Sequence, residues 1–232
     1  ILIGDAGSDT VLAGKGNDTA FGDAGDDTIL ADDGDDAIFA GAGRDVVNAG
    51  SGNDTIYGAV GDGDDVLDGG AGIDTLDYGA LTAGVSVELG SNGAGRANGS
   101  QSGVDTLDGI ENVRTGSGSD RLVASEAANV LDGGAGEDTF VFETAASADG
   151  DTIVGFEPGA TIDLKPLYRS LNLPTGEDFS LVPDAAFTAA GQIRLNVVGS
   201  DTMVEGNTDD DQDVEFSIKV AGRTTLQQSD FS

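Results

Sequence analysis

In nine-residue blocks from Gly4 the chain reads GDAGSDTVL (4–12), AGKGNDTAF (13–21), GDAGDDTIL (22–30), ADDGDDAIF (31–39), AGAGRDVVN (40–48) and AGSGNDTIY (49–57). An eleven-residue block, GAVGDGDDVLD (58–68), follows, and GGAGIDTLD (69–77) restores the period. Once the seventh block is allowed its two extra residues, all eight share Gly at the fourth place and Asp at the sixth. The Asp series is Asp9, Asp18, Asp27, Asp36, Asp45, Asp54, Asp65 and Asp74. The eighth place carries Val11, Ala20, Ile29, Ile38, Val47, Ile56, Leu67 and Leu76.

The spacing has a direct structural meaning. Six Gly-rich, acidic places make a turn whose backbone can approach a ligand closely. The last three make a short strand with a single side chain pointing inward. Nine residues are then half a coil and eighteen a whole one, so alternate blocks stack ~4.8 Å apart in two parallel sheets. The fold class expected is all-β: a right-handed parallel β-roll, about four coils in this stretch, followed by a β-rich C-terminal cap. One apolar residue per half coil makes a thin core, too thin to offset the ordering entropy unaided. At the ninth place Leu12 and Leu30 fall on one outer face and Phe21, Phe39 and Tyr57 on the other. That aromatic row reads either as a cross-strand ladder or as a docking stripe for another domain or a sugar ring.

Composition narrows the chemistry. The 232 residues hold 43 Asp and Glu against 10 Lys and Arg, a net charge of −33, with no Cys, His or Trp. Disulfides are excluded, a zinc site lacks its usual ligands, and His-dependent nucleophilic triads are absent. Nucleic acid, which needs clustered cations, is not an expected partner. No apolar run approaches the ~18 residues of a membrane span. ILIGDAG at residues 1–7 lacks a basic n-region and reads as a cut edge rather than a signal peptide. So many carboxylates on a chain that is 38% hydrophobic call for neutralisation, and an oxygen-only ligand supply favours a hard cation such as Ca²⁺.

The blocks match the nonapeptide GGxGxDxUx, with U a large apolar residue, and so resemble the RTX calcium-binding repeat family. The resemblance implies that each sixth-place Asp bridges Ca²⁺ ions above and below. It implies as further ligands the carbonyls of the fourth place, Gly7, Gly16, Gly25, Gly34, Gly43, Gly52 and Gly72. Second-place carbonyls join them, from Asp5, Gly14, Asp23, Asp32, Gly41, Gly50 and Gly70. In the seventh block either Gly61 or Gly63 could take the fourth place.

From Tyr78 the period breaks. Val85, Val87 and Leu89 alternate as a strand, and a Gly/Asn/Ser-rich loop is expected after it. GVDTLDGIENV (103–113), TGSGSDRLV (115–123), ASEAANVLD (124–132) and GGAGEDTFV (133–141) return to the repeat in worn form. This stretch resembles the C-terminal half of serralysin-type secreted metalloproteases, which implies Glu111, Asp120, Asn129 and Asp138 as metal ligands. Carbonyls of Gly116, Gly118, Ala127, Gly134 and Gly136 would assist them. DTIVGFEPGATIDL (151–164) resembles the segment closing the roll in those proteases and in the repeat modules of mannuronan C5-epimerases. Gly155 and Ala160 depart from that pattern and count against a calcium site at Asp151.

Strands are expected in GQIRLNVV (191–198), SDTMVEG (200–206) and VEFSIKVAG (214–222). Between the last two, Asp209, Asp211 and Asp213 stand at i, i+2 and i+4. Lacking the Gly and distal Glu of an EF-hand, this loop is read as a solvated tip rather than a tight site. LQQSDFS (226–232) resembles the uncleaved signal end of type I secretion substrates.

Four regions follow: a roll at 1–77, an inserted strand and loop at 78–102, a second roll block at 103–150, and a cap with the secretion signal region at 151–232. The reading is a non-enzymatic, calcium-binding module of a protein secreted from a Gram-negative bacterium, folding on Ca²⁺ outside the cell. Its partners would be calcium, the type I secretion machinery and an upstream domain. The alternatives are a Ca²⁺-dependent binder of an acidic, alginate-like polysaccharide, served by Lys165, Arg169, Arg194, Lys219 and Arg223, or a structural segment of an adhesin or surface layer.

Overall fold

The computed structural model describes residues 1–90, 94–171, 179–182 and 186–232. Each three-residue end of a block is a strand, and the blocks alternate between two sheets. The first sheet carries Leu2–Ile3, Thr19–Phe21, Ala37–Phe39, Thr55–Tyr57, Thr75–Asp77, Asn112–Arg114, Val130–Asp132 and Thr152–Val154 in spatial order. The second carries Thr10–Leu12, Thr28–Leu30, Val46–Asn48 and Val66–Asp68, then Gly103–Asp108, Gly95–Gly99 and Val85–Glu88, then Arg121–Val123, Thr139–Val141 and Thr161–Asp163.

Pairing is place to place. Val11 stands beside Ile29, Ile29 beside Val47 and Val47 beside Leu67, while Ala20, Ile38, Ile56 and Leu76 form the matching column opposite. All eight of these eighth-place side chains are buried between the sheets. A slip of one residue would turn each of them outward, so the apolar eighth place fixes the register.

The insertion is more regular than its composition suggests. Gly95–Gly99, expected as loop, is a strand, antiparallel to Val85–Glu88 on one side and to Gly103–Asp108 on the other. Flanking strands satisfy its backbone groups, so it needs no apolar alternation of its own; only Ala97 points into the core. Part of the expected loop, residues 91–93, lies outside the described residues. The hairpin pairs in parallel with Val66–Asp68 at one edge and Arg121–Val123 at the other. It thereby widens the second sheet, where the first passes directly from Thr75–Asp77 to Asn112–Arg114.

Beyond Val154 the first sheet continues into Phe216–Val220, Asp201–Asn207, Gln192–Val198 and Ser180–Leu181, of which the first three form an antiparallel ribbon. The short helix Lys165–Ser170 has Pro166 in its first turn, where the missing N–H costs nothing, and buries Leu167 and Tyr168. Phe179 packs edge-on against both Tyr168 (5.4 Å) and Phe216 (5.8 Å). The chain end is tied in: Ser232 N–H donates to Ile162 O at 3.0 Å, and Leu164 N–H donates to Ser232 O at 2.9 Å.

Candidate metal centre

Strand pairing stacks the sixth-place carboxylates into two columns, each rung bonded to the next. In the first, the N–H of Asp9 donates to Asp27 Oδ1, that of Asp27 to Asp45 and that of Asp45 to Asp65, each at 2.8 Å. The second runs Asp18, Asp36, Asp54, Asp74 at 2.7 Å per step and ends on Glu111 Oε2 at 2.8 Å. One oxygen of each accepting carboxylate is thus held by the neighbouring coil. The other is free at Asp27, Asp36, Asp45, Asp54 and Asp74, whose Oδ2 atoms are buried with no hydrogen-bond partner, as is that of Asp9 at the head of the first column. The worn repeats restart the arrangement. Val85 N–H donates to Asp120 at 2.8 Å and Asp120 N–H to Asp138 at 2.9 Å, and both acceptors again keep a buried, unpartnered Oδ2.

The turns supply the remaining oxygens. The second place requires a left-handed backbone, with φ of 73° at Asp5, 70° at Asp23 and 69° at Asp32. Only Gly enters that region freely and Asp tolerates it, which explains why these two residue types alternate there. The side chains of Asp5, Asp23 and Asp32 are exposed, and their carbonyls accept the N–H of Ala24, Ala42 and Ser51 at 3.1, 2.7 and 2.8 Å. At the fourth place a Cβ on Gly25, Gly34, Gly43, Gly52 or Gly72 would fall on the fourth-place carbonyl of the stacked block. A Cβ on Gly63 would fall on Gly43 O, while one on Gly61 would meet nothing, so the seventh block's fourth place is Gly63. The carbonyls of Gly7, Gly16, Gly25, Gly34, Gly43 and Gly52 accept no backbone hydrogen bond from the described residues.

Burial without compensation shows in the acidities. Loss of solvent, reinforced by neighbouring carboxylates, pushes Asp45, Asp74 and Asp138 up to about 6 and Asp65 to about 7, against the pull of the N–H each accepts. Among the described residues the only ion pair on either column is the amino terminus, 3.9 Å from Asp18. Ionised carboxylates buried in this way are stable only when paired or metal-bound. Oxygen-only donors, an open carboxylate oxygen on most rungs and open Gly carbonyls fit Ca²⁺, a hard ion taking 6–8 oxygens.

Two residues join the columns that the period alone did not mark. Asp105 Oδ1 accepts Asp65 N–H at 3.0 Å and continues the first column across the insertion. Its signal is GVDTLD (103–108), which repeats the fourth to ninth places of a block. Asp151, whose site the departures at Gly155 and Ala160 count against, accepts Asn129 N–H at 2.7 Å and keeps a buried, unpartnered Oδ2; burial lifts it to about 7. The departures at Gly155 and Ala160 leave that geometry intact.

Asn129 differs from the other rungs. Its Oδ1 accepts Ser125 N–H at 2.7 Å, and its Nδ2 donates to Glu111 O at 2.8 Å and Ser125 Oγ at 2.9 Å. Its side chain is bonded within the protein, and the carbonyl of Ala127 stands beside a rung without an open carboxylate.

Other candidate features resolve in turn. At the hairpin tip Asp209 and Asp211 approach Glu215, with one oxygen of each within 4.8 Å of the others, whereas Asp213 stands outside that group. Of the basic residues considered for a polyanion, Arg194 bonds Glu205 at 2.6 Å and lies over Phe187, Lys219 bonds Asp201 at 3.0 Å, and Arg223 covers Phe156. Phe21, Phe39 and Tyr57 stack at 4.8 and 4.4 Å with planes within 8° of parallel. Phe39 spends both ring faces on its neighbours and leaves only edges for solvent. This geometry favours the ladder over a sugar platform.

Comparison with known proteins agrees with this architecture. The RTX calcium-binding nonapeptide repeat, a model of four copies, matches residues 3–38 and 30–62. The C-terminal region of the peptidase M10 serralysins matches residues 65–232. No curated protein sequence matches the chain. Among solved structures, the extracellular lipase LipA of Serratia marcescens is similar at TM-score 0.28 and 14% identity, over 96% of this chain and 39% of the lipase. The AlgE6R3 subunit of the Azotobacter vinelandii mannuronan C5-epimerase is similar at TM-score 0.20 and 17% identity, over 94% of this chain and 78% of that subunit. The chain therefore spans about two-fifths of the lipase it resembles. With a family match running from the seventh block to the last residue, the chain belongs to the peptidase M10 serralysin C-terminal family, entered through RTX calcium-binding repeats.

Proposed function

We propose that this chain is a calcium-driven folding module of a type I-secreted protein. It stays unfolded and exportable at low cytosolic Ca²⁺ and folds outside the cell, where it supports the domain that precedes it. One observation carries the reading: in both columns, carboxylates held by a backbone N–H through one oxygen keep the other buried without a partner. An ion bound only by the folded state stabilises it by about 2.7 kcal/mol per site at a hundred times its Kd, so several sites convert a thin core into a stable one. Residues 1–77 hold 18 acidic and 2 basic side chains, a charge that opposes compaction until cations arrive.

Titrating Ca²⁺ into chelator-treated protein tests the reading by circular dichroism. The expected outcome is a cooperative passage from a disordered to a β-type spectrum at submillimolar to millimolar Ca²⁺, which Mg²⁺ reproduces poorly because it demands rigid octahedral geometry. An unchanged spectrum on adding Ca²⁺ would sink it.

A further inference from the structure

The tip of the terminal ribbon gathers oxygen ligands outside the repeats. Between Asp201–Asn207 and Phe216–Val220 the chain runs TDDDQDVE (208–215), and one oxygen each of Asp209, Asp211 and Glu215 lies within 4.8 Å of the others. Glu215 comes from the returning side of the loop: its N–H donates to Gly206 O at 3.0 Å, and its Oε2 accepts Thr208 N–H at 2.6 Å. It therefore brackets Asn207, bonding the chain on either side of it. Asp211 N–H donates to Asp209 Oδ1 at 2.9 Å and Asp213 N–H to Asp211 Oδ1 at 2.8 Å, so both acceptor side chains fold back over the loop. No ion pair among the described residues reaches any of the three carboxylates.

An acidic tip alone would be a solvated loop, and Asn207 sets this one apart. It is 0% exposed, and its Nδ2 donates to Asp211 O at 2.8 Å and Asp213 O at 3.4 Å, so its amide is turned into the loop between Glu215 and Asp211. The other end of that amide, Oδ1, is buried with no hydrogen-bond partner. Among the described residues it is the only buried uncharged side-chain oxygen in that condition. Turning the amide over would not help, because its oxygen would then face the two carbonyls that Nδ2 now serves. Buried polar atoms are ordinarily matched, and one left unmatched marks the place of a water or an ion.

We infer that Asn207 Oδ1 and the carboxylates of Asp209, Asp211 and Glu215 form a cation site, separate from the two columns, that takes Ca²⁺ and ties the hairpin tip. Three carboxylates and an amide oxygen supply much of a shell of 6–8 oxygens, with water completing it on the exposed side. Mg²⁺, which dehydrates reluctantly and demands octahedral geometry, fits such a loop less well. A solvent-facing site of this kind belongs with extracellular calcium modules, whose Kd is about 10⁻⁴–10⁻³ M. The apolar interior of the ribbon holds its strands without the ion, which orders the tip alone. The site goes beyond the calcium reading of the repeats and does not depend on it.

The full chain tests it, since Asp209 and Asp211 are exposed and Asn in their places can still accept the loop's N–H groups. At saturating Ca²⁺, Asp209→Asn/Asp211→Asn should bind one ion fewer than the parent by equilibrium dialysis, with the Ca²⁺-induced dichroism unchanged. Asp210→Asn removes a charge from the same loop but outside the group, and should bind the parent's number. Equal counts in the double variant and the parent overturn the proposal. So does an equal fall in Asp210→Asn, which would mean ions held diffusely by an acidic loop. In the parent, small additions of Mn²⁺ should broaden the amide signals of residues 208–215, and excess Ca²⁺ should reverse the effect. Tip signals that keep their width while those of the roll broaden overturn the site without recourse to a variant. Failure of the tip site leaves the calcium reading of the columns standing. A tip ion in a chain without Ca²⁺-dependent dichroism overturns that reading and upholds this site.

Discussion

The roll of residues 1–77 and the ribbon of residues 192–220 sit in one continuous sheet system but are stabilised by opposite means. The roll buries small aliphatic side chains, one per half coil, together with carboxylates as deeply buried as the core: Asp45 and Asp74 are 0% exposed, as are Ile29 and Ile38. The ribbon buries Phe216, Ile218, Val204 and Ile193, against which Phe179 and Tyr168 pack; its cations Arg194 and Lys219 pair with Glu205 and Asp201, and its remaining carboxylates sit at the tip rather than in the interior. Nothing in the roll's own composition neutralises its interior, whereas the ribbon is self-sufficient. A single fold therefore contains a part whose interior carboxylates lack partners and a part whose stability is of the ordinary apolar kind.

Chelation should separate the two regions most widely. In EDTA, hydrogen exchange resolved along the chain should show residues 1–77 losing nearly all protection. The strands Gln192–Val198, Asp201–Asn207 and Phe216–Val220 should retain measurable protection. Addition of Ca²⁺ should restore the roll. Uniform loss across both regions would mean that the ribbon depends on the roll as a template, and the contrast would collapse.

The difference was only partly readable from the chain. The eighth-place apolar series and the sixth-place Asp series are strictly periodic, so sheets, register and columns follow from counting. What escaped counting was whatever depends on chain segments meeting across an interruption. Asp105 reaches Asp65 only because the hairpin returns the chain beside Val66–Asp68, forty residues later. Gly95–Gly99 carries no pattern of its own, since two neighbouring strands supply its hydrogen bonds. The departures at Gly155 and Ala160 lie near Asp151 in sequence, while its place in the column is set by Asn129, twenty-two residues earlier. Asp62 looks like one more acid in an acidic stretch, yet in the lengthened seventh block it is only 4% exposed.

A smaller effect sharpens the contrast through pH. In the metal-free fold Asp45, Asp74 and Asp138 stand near 6 and Asp65 and Asp151 near 7, against about 3.9 in the unfolded chain. Between those values the folded state binds more protons than the unfolded one, so stability falls as pH rises. In EDTA, lowering the pH from about 8 toward about 5 should therefore raise the β content of the roll by relieving the buried charge. With Ca²⁺ present the same change should weaken the roll, because protons compete for the ligands. Thermal melts at both conditions measure it. A shift of the same sign with and without Ca²⁺ would contradict the assignment of these carboxylates as the metal's ligands.

The smallest expected effect concerns the outer aromatic stack, the one place where the roll relies on ring contacts. Phe39 is half-buried between Phe21 and Tyr57, whereas Phe216 is fully buried in the ribbon. In Ca²⁺-loaded protein, Phe39→Ala should cost about 1–2 kcal/mol, as each stacked pair contributes roughly 0.5–1.5 kcal/mol beyond its area. Phe216→Ala should cost about 3–5 kcal/mol through the cavity it leaves. Because the carboxylate columns lie at the turns and the stack on the outer sheet face, Phe39→Ala should leave the Ca²⁺ stoichiometry unchanged and lower only the denaturation midpoint. Calorimetric Ca²⁺ counts beside denaturant curves distinguish the possibilities. If Phe39→Ala leaves the midpoint of the loaded protein unmoved, the stack is not a stabilising ladder, and its regular spacing along three coils would have to serve contact with another surface.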